Sequence, residues 1–349
     1  MKALLLAGGK GTRLKPLTNN MPKPMVPILG EPLLKRTILN LRENGINEII
    51  ISICYEPIQI NSYFGNGENL GIKIKYVQED IPLGTGGAIK NAQQYIDDTF
   101  IVLNSDIVSD INLSALIEHH INKKGIASIA LTKVDDPTQY GVVNLSDGYI
   151  TAFKEKPKPD QVTSNLINAG IYVFDPEIFN YIPSNQIVSI EKDIYPLLIK
   201  KDLKIAGYHG SYYWMDIGTP EKYMQVHKDI FDGKYLITNQ LIYSPVNGNI
   251  LQGDNVKIRP SAKIIKPVYI GNNVEIGSKT IIGPYSVIGD NVKINSGSRI
   301  VNSIVWDNVV IGKSANINHT IIGSNCKIGN TTEICDSVFV LDAAESVAI

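Results

Sequence analysis

The first residues whose types and spacing could do chemistry are the glycines and cations of Gly8–Arg13. Glycine lets backbone N–H groups approach an anion closely and adopts positive φ, so such a loop can form a concave nest for phosphate oxygens. Arg13 adds a forked donor that suits bridging phosphates. Ten residues further on, Lys23 stands between Pro22 and Pro24, which stiffen its segment. The pattern predicts a phosphate-binding loop, with a surface turn carrying solvated cations as the alternative.

This loop matches neither of the two common phosphate motifs. A P-loop has the form G-x-x-x-x-G-K-[ST], whereas Gly8 is followed five residues later by Arg13. The dinucleotide fingerprint G-x-G-x-x-G begins at Gly9 and Gly11 but fails at Leu14. The sequence therefore indicates a different kind of phosphate chemistry.

Two aspartates are candidate ligands for a metal ion. Asp106 follows a short apolar run, and Asp216 stands just before Gly218-Thr219-Pro220, which is typical of a helix start. A polyphosphate substrate needs Mg²⁺, which takes one or two protein carboxylates besides phosphate oxygens. Either aspartate alone could equally be a cap or turn residue, so the prediction of Mg²⁺ binding depends on the pair.

A third set of polar residues could bind a phosphorylated sugar. Glu155 and Lys156 stand in a proline-flanked segment, and Asn168 precedes a strand-like run. Glutamate and asparagine can hydrogen-bond sugar hydroxyls, and lysine can neutralise a phosphate. Taken singly, each of these segments also has the composition of an ordinary loop.

The overall composition excludes several classes of function. The chain has 349 residues, enough for two domains, and a formal net charge of -1, so it lacks the basic field that nucleic-acid binding needs. The three cysteines are scattered, which favours buried thiols over disulfides or a zinc site. Ala3–Ala7 is too short for a signal peptide or a membrane span. We expect a cytoplasmic protein that binds neither nucleic acid nor membrane.

Short apolar strands alternate with helical patterns up to about residue 230, which predicts an α/β fold with a Rossmann-like, mostly parallel sheet. The predicted strands are Lys2–Ala7, Glu48–Ile53, Ile72–Val77, Phe100–Leu103 and Ile126–Thr132, and the predicted helices run from Pro32 to Asn44, over Gly86–Ile96 and over Leu113–Lys124. In such sheets ligands bind at the carboxyl ends of the strands. Both Gly8–Arg13 and Asp106 fall at predicted strand ends.

The period of the sequence changes after about residue 245. Isoleucine occurs at every sixth position from Ile258 to Ile300, and the register then slips by one residue twice. A six-residue period predicts a left-handed parallel β-helix, in which the inward residue stacks on its copies above and below. We predict a catalytic domain over residues 1–235, a linker over 236–255 and the β-helix over 256–349. The β-helix would serve architecture, either as a domain for self-association into a homo-oligomer or as a capping domain.

Hexapeptide β-helices include acyltransferases, which resemble one another in using a histidine near a loop that projects from the coils. His319 is the only histidine in the repeat, and both irregularities shorten a hexad where a projecting loop would lengthen one. We therefore expect no acyl-transfer site in this half of the chain.

The ordered motifs of the first half resemble the sugar-1-phosphate nucleotidylyltransferases (NDP-sugar pyrophosphorylases). Leu6–Thr18 and Pro22–Ile28 are similar to the signature of this family. The similarity continues in family order through Gln78, Pro82–Ile89, Leu103–Ile107, Tyr140–Val143, Phe153–Pro157, Ile167–Phe174, Ser189–Pro196 and Trp214–Tyr223. The motif sequences most resemble those of the mannose-1-phosphate guanylyltransferase branch. Thymidylyltransferases usually have Lys-Gln-Leu where this chain has Lys23-Pro24-Met25.

The resemblance implies a role for each motif. A phosphate oxygen of the sugar 1-phosphate would attack the α-phosphorus of the nucleotide in line, and pyrophosphate would leave without a covalent enzyme intermediate. The implied nucleotide-binding residues are Leu6, Ala7, Gly8, Gly9, Gly11, Thr12, Arg13, Lys23, Gln78, Gly84 and Thr85. The implied sugar-phosphate ligands are Gly141, Glu155, Lys156 and Asn168; the implied metal ligands are Asp106 and Asp216; the implied catalytic residues are Arg13, Lys23, Asp106, Lys156 and Asp216.

The expected partners are an NTP and a sugar 1-phosphate, with GTP and mannose 1-phosphate favoured. Thymidylyl, uridylyl, adenylyl or cytidylyl transfer to glucose 1-phosphate or to another hexose or heptose 1-phosphate is the alternative within the same class. A non-catalytic subunit that senses nucleotide sugars is the alternative from another class, although the cations and acids needed for catalysis are all present.

Overall fold

The computed structural model describes residues 1–236, 244–245, 250–341 and 347–348. Residues 237–243 and 246–249 of the predicted linker, and 342–346 and 349 of the predicted β-helix domain, lie outside the described residues. The chain forms two compact units that do not follow chain order. The sheet unit comprises Met1–Lys10, Pro22–Pro24 and Leu34–Trp214; the β-helix unit comprises Gly11–Met21, Met25–Leu33 and Met215–Ile349.

The strands of the first part of the chain are β1 (Lys2–Leu6), β2 (Pro27–Ile28), β3 (Glu31–Pro32), β4 (Glu48–Ile53), β5 (Lys73–Gln78), β6 (Phe100–Asn104), β7 (Ile107–Ser109), β8 (Ala127–Lys133), β9 (Gly141–Ser146), β10 (Tyr149–Glu155), β11 (Leu166–Phe174), β12 (Ile205–His209) and β13 (Trp214–Asp216). The α-helices are α1 (Leu33–Glu43), α2 (Pro57–Phe64), α3 (Gly84–Asn91), α4 (Leu113–Lys123), α5 (Tyr195–Lys200) and α6 (Pro220–Phe231). Among the shorter segments, Thr12–Leu14 and Lys23–Met25 are 3-10 turns, and Ile190–Ile194 is a π-helical turn before α5.

The sheet unit is built on nine strands in the order β5-β4-β1-β6-β11-β8-β12-β10-β9. Strands β5, β4, β1 and β6 are mutually parallel, whereas β11 runs antiparallel to both β6 and β8. Because β1 lies between two parallel neighbours, its residues Ala3, Leu4 and Leu5 are fully buried, as its apolar run predicts. The carboxyl ends of β1, β5 and β6 therefore meet at one edge, where the candidate ligands begin.

The predicted strands and helices of this unit are present, with boundaries shifted by a few residues. The helix predicted over Gly86–Ile96 instead begins at Gly84 and ends at Asn91. Asn168 does not precede a strand but lies inside β11, and the segments before and after Asp147 are strands rather than loops. The reason is antiparallel pairing, which an alternating βα pattern does not include. Strand β11 lies antiparallel between β6 and β8, and the β9–β10 hairpin turns at Asp147 and Gly148, both with positive φ.

The strands of the second part are β14 (Ser244–Pro245), β15 (Ile250–Gln252), β16 (Lys257–Ile258), β17 (Lys263–Ile264), β18 (Val268–Ile270), β19 (Glu275–Ile276), β20 (Ile281–Ile282), β21 (Ser286–Ile288), β22 (Lys293–Ile294), β23 (Arg299–Val301), β24 (Ile304–Val305), β25 (Val310–Ile311), β26 (Asn316–Ile322), β27 (Lys327–Ile328), β28 (Glu333–Phe339) and β29 (Val347–Ala348).

These strands form the predicted parallel coils. Ile264 pairs with Ile282 and Ile282 with Ile300, eighteen residues apart, whereas Ile300 pairs with Ile317, seventeen residues apart. The shorter spacing is the register slip seen in the sequence. Ile282 and Ile300 are fully buried, but Ile258 is 38% exposed because its strand β16 pairs with one neighbour only, among the described residues. The fold class predicted from the sequence is confirmed.

The structure also shows the surroundings of His319 and of the cysteines, which the sequence analysis singled out. His319 pairs through Nδ1 with Asp336 of the next coil at 2.8 Å, at an exposed corner of the β-helix. The prediction of buried thiols is confirmed for Cys326 and holds only partly for Cys54, which is half-buried. It is wrong for Cys335, which is exposed because its side chain lies on the outer face of β28. Over the described ranges, no helix is both long and apolar enough to cross a membrane.

Candidate active site

A cleft of about 280 Å³ opens in the sheet unit at the carboxyl ends of β1 and β6. It is lined by Leu6, Gly8, Gly9, Lys23, Pro24, Ser52, Glu79, Pro82, Gly84, Thr85, Ala88, Asn104, Ser105 and Asp106. The predicted site residues among them are Leu6, Gly8, Gly9, Lys23, Gly84, Thr85 and Asp106. The structure thus brings the glycine loop, the buried cation and one candidate metal ligand into one cleft.

The loop after β1 offers backbone donors to this cleft. The N–H groups of Gly8 and Gly9 donate to no backbone carbonyl in the described part of the chain. A Cβ atom on Gly9 would meet nothing within 4 Å, so a ligand can approach its backbone closely. Gly11 has φ of 60°, in the left-handed region that favours glycine. These features fit the predicted binding of an anion.

Lys23 and Asp106 form an ion pair in the cleft. Lys23 Nζ donates to Asp106 Oδ2 at 2.6 Å, and the lysine side chain is 8% exposed, whereas that of the aspartate is 33% exposed. Ser105 fixes the loop that carries Asp106, because its Oγ donates to the carbonyl oxygen of Leu6 at 2.6 Å and ties β6 to β1. The opposite charges of the two side chains neutralise each other.

Glu79 is a buried carboxylate of the cleft that sequence reasoning missed. It is 6% exposed and accepts hydrogen bonds from Ser52 Oγ at 2.6 Å and from the backbone N–H of Leu83 at 2.8 Å. The predicted residue Gln78 is exposed and lies outside the cleft lining. The signal that could have found Glu79 is its place directly after β5, since ligands collect at strand ends.

A thiol lies beside the glycine loop but is not activated. A Cβ atom on Gly8 would lie 3.3 Å from Cys54 Cβ. Burial raises the pKa of the Cys54 thiol, and the nearby Glu79 raises it further, although Lys10 opposes this. Because the thiolate is the nucleophilic form, Cys54 is unsuited to covalent catalysis.

The predicted sugar-phosphate ligands meet on three adjoining strands. Gly141 on β9 is the cross-strand partner of Glu155 on β10, and β11 pairs with β9 through Ile167, next to Asn168. Asn168 Nδ2 donates to Tyr172 Oη at 2.9 Å. The antiparallel pairings therefore bring Gly141, Glu155 and Asn168 together although they are far apart in sequence.

The cation beside Glu155 is held in a constrained conformation. Lys156 has φ of 46°, which is unusual for a residue with a side chain, and its backbone N–H donates to the carbonyl oxygen of Tyr140 at 2.9 Å. Its Nζ lies 3.9 Å from Glu155 Oε1, and its side chain is 60% exposed. The backbone of Lys156 is thus constrained, while most of its side chain is accessible to solvent.

Glu191 connects the cleft to this second cluster and was not predicted. Its Oε2 accepts hydrogen bonds from Thr85 Oγ1 at 2.6 Å and from Ser189 Oγ at 2.7 Å. Burial raises the pKa of the Glu155 carboxyl, and the negative charge of Glu191 raises it further, whereas Lys156 lowers it. The carboxylates of Glu155 and Glu191 therefore influence each other electrostatically.

Arg13 and Asp216 lie together in the β-helix unit. Arg13 Nη2 is 3.9 Å from Asp216 Oδ2, and the carboxylate also accepts a hydrogen bond from Lys222 Nζ in the first turn of α6. Gly218 leaves room for this pair, because a Cβ atom would lie 2.7 Å from Asp216 Oδ2 and 3.2 Å from Arg13 Nη2 and would displace one of the two side chains. Lys222, which the sequence reasoning missed, is the cation that neutralises this buried aspartate.

The predicted residues are thus divided between the two units. Gly11, Thr12, Arg13 and Asp216 belong to the β-helix unit and the remaining ones to the sheet unit. In the residues that the structure describes, no group of three or more His, Cys, Asp or Glu side chains could hold a metal ion. A metal site formed by Asp106 and Asp216 remains a prediction.

Comparisons with known proteins identify the family. The family profile described as nucleotidyl transferase matches residues 2–233. The chain belongs to the nucleotidyl transferase family. The profile described as the EIF2B subunit epsilon LbH domain matches residues 247–345. Members of the nucleotidyl transferase family generally use divalent metal ions, and carboxylates such as Asp106 are suitable oxygen ligands for them.

Similar proteins are nucleotidyl transferases of several specificities. A mannose-1-phosphate guanylyltransferase of Mycobacterium tuberculosis is 37% identical over 84% of this chain and 81% of the relative. A UTP–glucose-1-phosphate uridylyltransferase of Synechocystis is 35% identical over 87% of this chain and 82% of the relative. The crystal structure of HddC from Yersinia pseudotuberculosis complexed with GMP-PN has a TM-score of 0.56 and 33% identity, covering 64% of this chain and 96% of HddC. The resemblance to sugar-1-phosphate nucleotidylyltransferases is confirmed.

Proposed function

We propose that this nucleotidyl transferase moves a guanylyl group from GTP to mannose 1-phosphate and releases GDP-mannose and pyrophosphate. The observation that carries the proposal is the ion pair between the buried Lys23 and the partly exposed Asp106 in a cleft lined by Gly8 and Gly9. Support for the choice of substrates comes from the similarity to mannose-1-phosphate guanylyltransferases over more than four fifths of the chain.

The reaction is an in-line displacement at the α-phosphorus of GTP. A phosphate oxygen of mannose 1-phosphate forms the new bond to the α-phosphorus. The bond from that phosphorus to the oxygen bridging to the β-phosphorus breaks, and its electron pair leaves on pyrophosphate. The raised pKa of the Cys54 thiol disfavours it as a nucleophile. This is consistent with direct attack by the sugar phosphate and with the absence of a covalent enzyme intermediate.

The chain contributes positioning and positive charge rather than a nucleophile. The N–H groups of Gly8 and Gly9 bind triphosphate oxygens, and Lys23 exchanges Asp106 for the α-phosphate. Arg13, whose side chain is 58% exposed, binds the departing pyrophosphate. Such preorganised charges stabilise the negative charge that develops in the transition state.

Asp106 and Asp216 are the residues that would hold Mg²⁺. Their fit rests on the donor chemistry, because carboxylate oxygens are ligands that Mg²⁺ prefers and both side chains already attract cations: Asp106 pairs with Lys23, and Asp216 pairs with Arg13 and Lys222. When bound, Mg²⁺ would neutralise charge on the triphosphate oxygens. Release of Lys23 from Asp106 would then free the lysine for the α-phosphate.

The remaining predicted residues recognise the two substrates. We place the base against Gly84, Thr85 and Gln78, and the sugar phosphate against Gly141, Glu155, Lys156 and Asn168. The support is that Thr85 lines the cleft and is joined through Glu191 to the neighbourhood of Glu155. Ala7, Gly11 and Thr12 are proposed to complete the loop around the triphosphate.

We also propose the domain boundaries, the self-association and the cellular compartment of the protein. Residues 1–235 would form the catalytic domain, 236–255 the linker and 256–349 a β-helix domain that mediates homo-oligomerisation. A reducing cytoplasm suits the free thiols of Cys54, Cys326 and Cys335. The NTP and the sugar 1-phosphate would be the binding partners there.

Pyrophosphate release tests the proposal with five NTPs against mannose, glucose, galactose and heptose 1-phosphates in the presence of Mg²⁺. The expected result is the highest kcat/KM for GTP with mannose 1-phosphate. Preference for UTP with glucose 1-phosphate would replace this assignment with the specificity of the Synechocystis relative. Release from no pair, by protein that binds nucleotide sugars, would favour the non-catalytic sensor.

A further inference from the structure

Helix α6 holds the β2–β3 hairpin through two buried side chains one turn apart. Tyr223 Oη donates to the carbonyl oxygen of Pro27 at 2.6 Å, and the backbone N–H of Leu29 donates to His227 Nε2 at 3.2 Å. The other ring nitrogen of His227 lies 2.9 Å from the carbonyl oxygen of Tyr223, which fixes the neutral tautomer with the proton on Nδ1. The hairpin is thereby fastened to α6 at two points.

The β-helix completes this arrangement through Trp306. The indole Nε1 donates to Tyr223 Oη at 2.9 Å, so a directional chain runs from Trp306 through Tyr223 to Pro27. Trp306 is 5% exposed and Tyr223 is fully buried. Burial raises the pKa of the Tyr223 phenol well above its ordinary range, so the hydroxyl keeps the proton that it donates. Away from water, each bond of such a chain strengthens the next.

A second β-helix residue meets the tip of the hairpin. Gly30 has φ of 76°, and a Cβ atom there would lie 2.5 Å from Tyr269 Oη. Tyr269 is fully buried in strand β18. The hairpin therefore approaches the β-helix so closely at Gly30 that a side chain there would displace the Tyr269 ring.

Groups proposed for catalysis are attached to the same elements. The first turn of α6 carries Lys222, which pairs with Asp216, and Asp216 faces Arg13. Hence the placement of α6 bears on where Lys222, Asp216 and Arg13 stand, all three within the β-helix unit.

We propose that Trp306 is a positioning residue for nucleotidyl transfer: its indole N–H, acting through Tyr223, places α6 and the β2–β3 hairpin and with them Asp216 and Arg13. The proposal rests on the proposed function of these residues. Under this proposal the β-helix is more than a structural domain, because one of its residues helps to position groups that act in nucleotidyl transfer. Because misplaced charges stabilise the transition state less well while still binding substrates, the loss falls on kcat more than on KM.

The test compares Trp306→Phe, Tyr223→Phe and the double variant, using the NTP and sugar-phosphate pair that the unmodified protein turns over best. The Trp306→Phe change removes the N–H donor and keeps an aromatic ring. Tyr285→Phe is the matched control, because it removes a bond of 2.8 Å from the β-helix to Asp232, beyond the end of α6. We expect kcat to fall about tenfold in Trp306→Phe, which corresponds to about 1.4 kcal/mol, with both KM values changed less than about threefold.

The double variant separates positioning from general weakening. Since Tyr223→Phe already breaks both bonds of the chain, the double variant should have the same kcat as Tyr223→Phe. Hydrogen exchange of the Leu29 N–H should be faster in both single variants and unchanged in Tyr285→Phe, a readout that does not depend on activity.

Several results would overturn the proposal. One is a kcat of Trp306→Phe equal to that of Tyr285→Phe, and another is independent, multiplicative losses in the double variant. Unchanged exchange of the Leu29 N–H would overturn it even if a variant were too unstable for kinetics. Failure of the unmodified protein to turn over any pair would instead refute the proposed function itself, and the two failures are thereby distinguishable.

Discussion

Replacing Lys23 by methionine should abolish most catalysis and also weaken the fold, and the two losses can be separated. Methionine keeps the length of the side chain and removes its charge. Without the cation at the α-phosphate, kcat should fall about 10²–10³-fold, as when one preorganised donor of charge stabilisation is removed. Lys73→Met, which removes an exposed lysine of β5, serves as the control and should leave kcat unchanged.

The structure also determines the expected loss of stability. Lys23 is 8% exposed and bonded to Asp106 at 2.6 Å, so Lys23→Met leaves a carboxylate without its cation. Breaking a fully buried pair costs about 3–5 kcal/mol, but because the Asp106 side chain is 33% exposed we expect about 2 kcal/mol here. That loss corresponds to a lowering of the thermal unfolding midpoint by about 4–8 °C.

The double variant Lys23→Met/Asp106→Asn provides the decisive comparison. Removing both charges relieves the unpaired carboxylate, so the unfolding midpoint should return to within about 3 °C of that of the unmodified protein. Pyrophosphate release should stay as low as in Lys23→Met, because neither substitution restores the cation. A kcat of Lys23→Met within about threefold of normal would refute the assigned role, and so would activity that recovers together with stability.

Three further predictions concern the sugar cluster and the β-helix. Gly141→Ala adds a Cβ atom 2.5 Å from Phe153 Cζ and 2.9 Å from Glu155 Oε2, so that Glu155 must shift with the ring and the KM for the sugar phosphate should rise about tenfold; an unchanged KM would contradict that placement. The pKa of the Glu155 carboxyl is raised in the folded protein, so ionisation of this group disfavours the folded state. The stabilisation that it provides is therefore fully present below its pKa in the unfolded chain and is lost as pH rises through its pKa in the folded protein. Glu155→Gln should therefore raise the unfolding midpoint near neutral pH but not below about pH 4, whereas Glu118→Gln, at an exposed position of α4, should show no such difference. Ile288→Ala removes a fully buried side chain from the coils and should cost about 2–5 kcal/mol in unfolding experiments, whereas Ile258→Ala, at a position 38% exposed, should cost clearly less.

The sequence was most informative where one simple period or rule dominates. The six-residue period places Ile282 and Ile300 in the interior of the β-helix, and the slip after Ile300 appears as the shorter pairing with Ile317. The buried run of β1 and the rule that ligands bind at strand ends place Gly8, Gly9 and Asp106 in one cleft. Each of these predictions follows from local sequence alone.

Other features depend on contacts between distant segments, which no local pattern encodes. Asn168 lies inside β11 because an antiparallel strand is inserted between β6 and β8, and Glu191 reaches Thr85 through a π-helical turn more than a hundred residues away. Lys222 pairs with Asp216 only because α6 begins at Pro220. The same reason explains why no local pattern identifies Trp306, whose partner Tyr223 lies 83 residues earlier in the chain.

The most direct test of the central claim follows oxygen atoms through the reaction. The protein is incubated with GTP, Mg²⁺ and mannose 1-phosphate that carries a heavy oxygen isotope at its phosphate oxygens. The products are then separated, and their masses are measured by mass spectrometry. If a sugar-phosphate oxygen attacks the α-phosphorus of GTP, all of the label appears in GDP-mannose and none in pyrophosphate. Label in pyrophosphate, or hydrolysis of GTP without labelled GDP-mannose, would contradict the proposed guanylyl transfer.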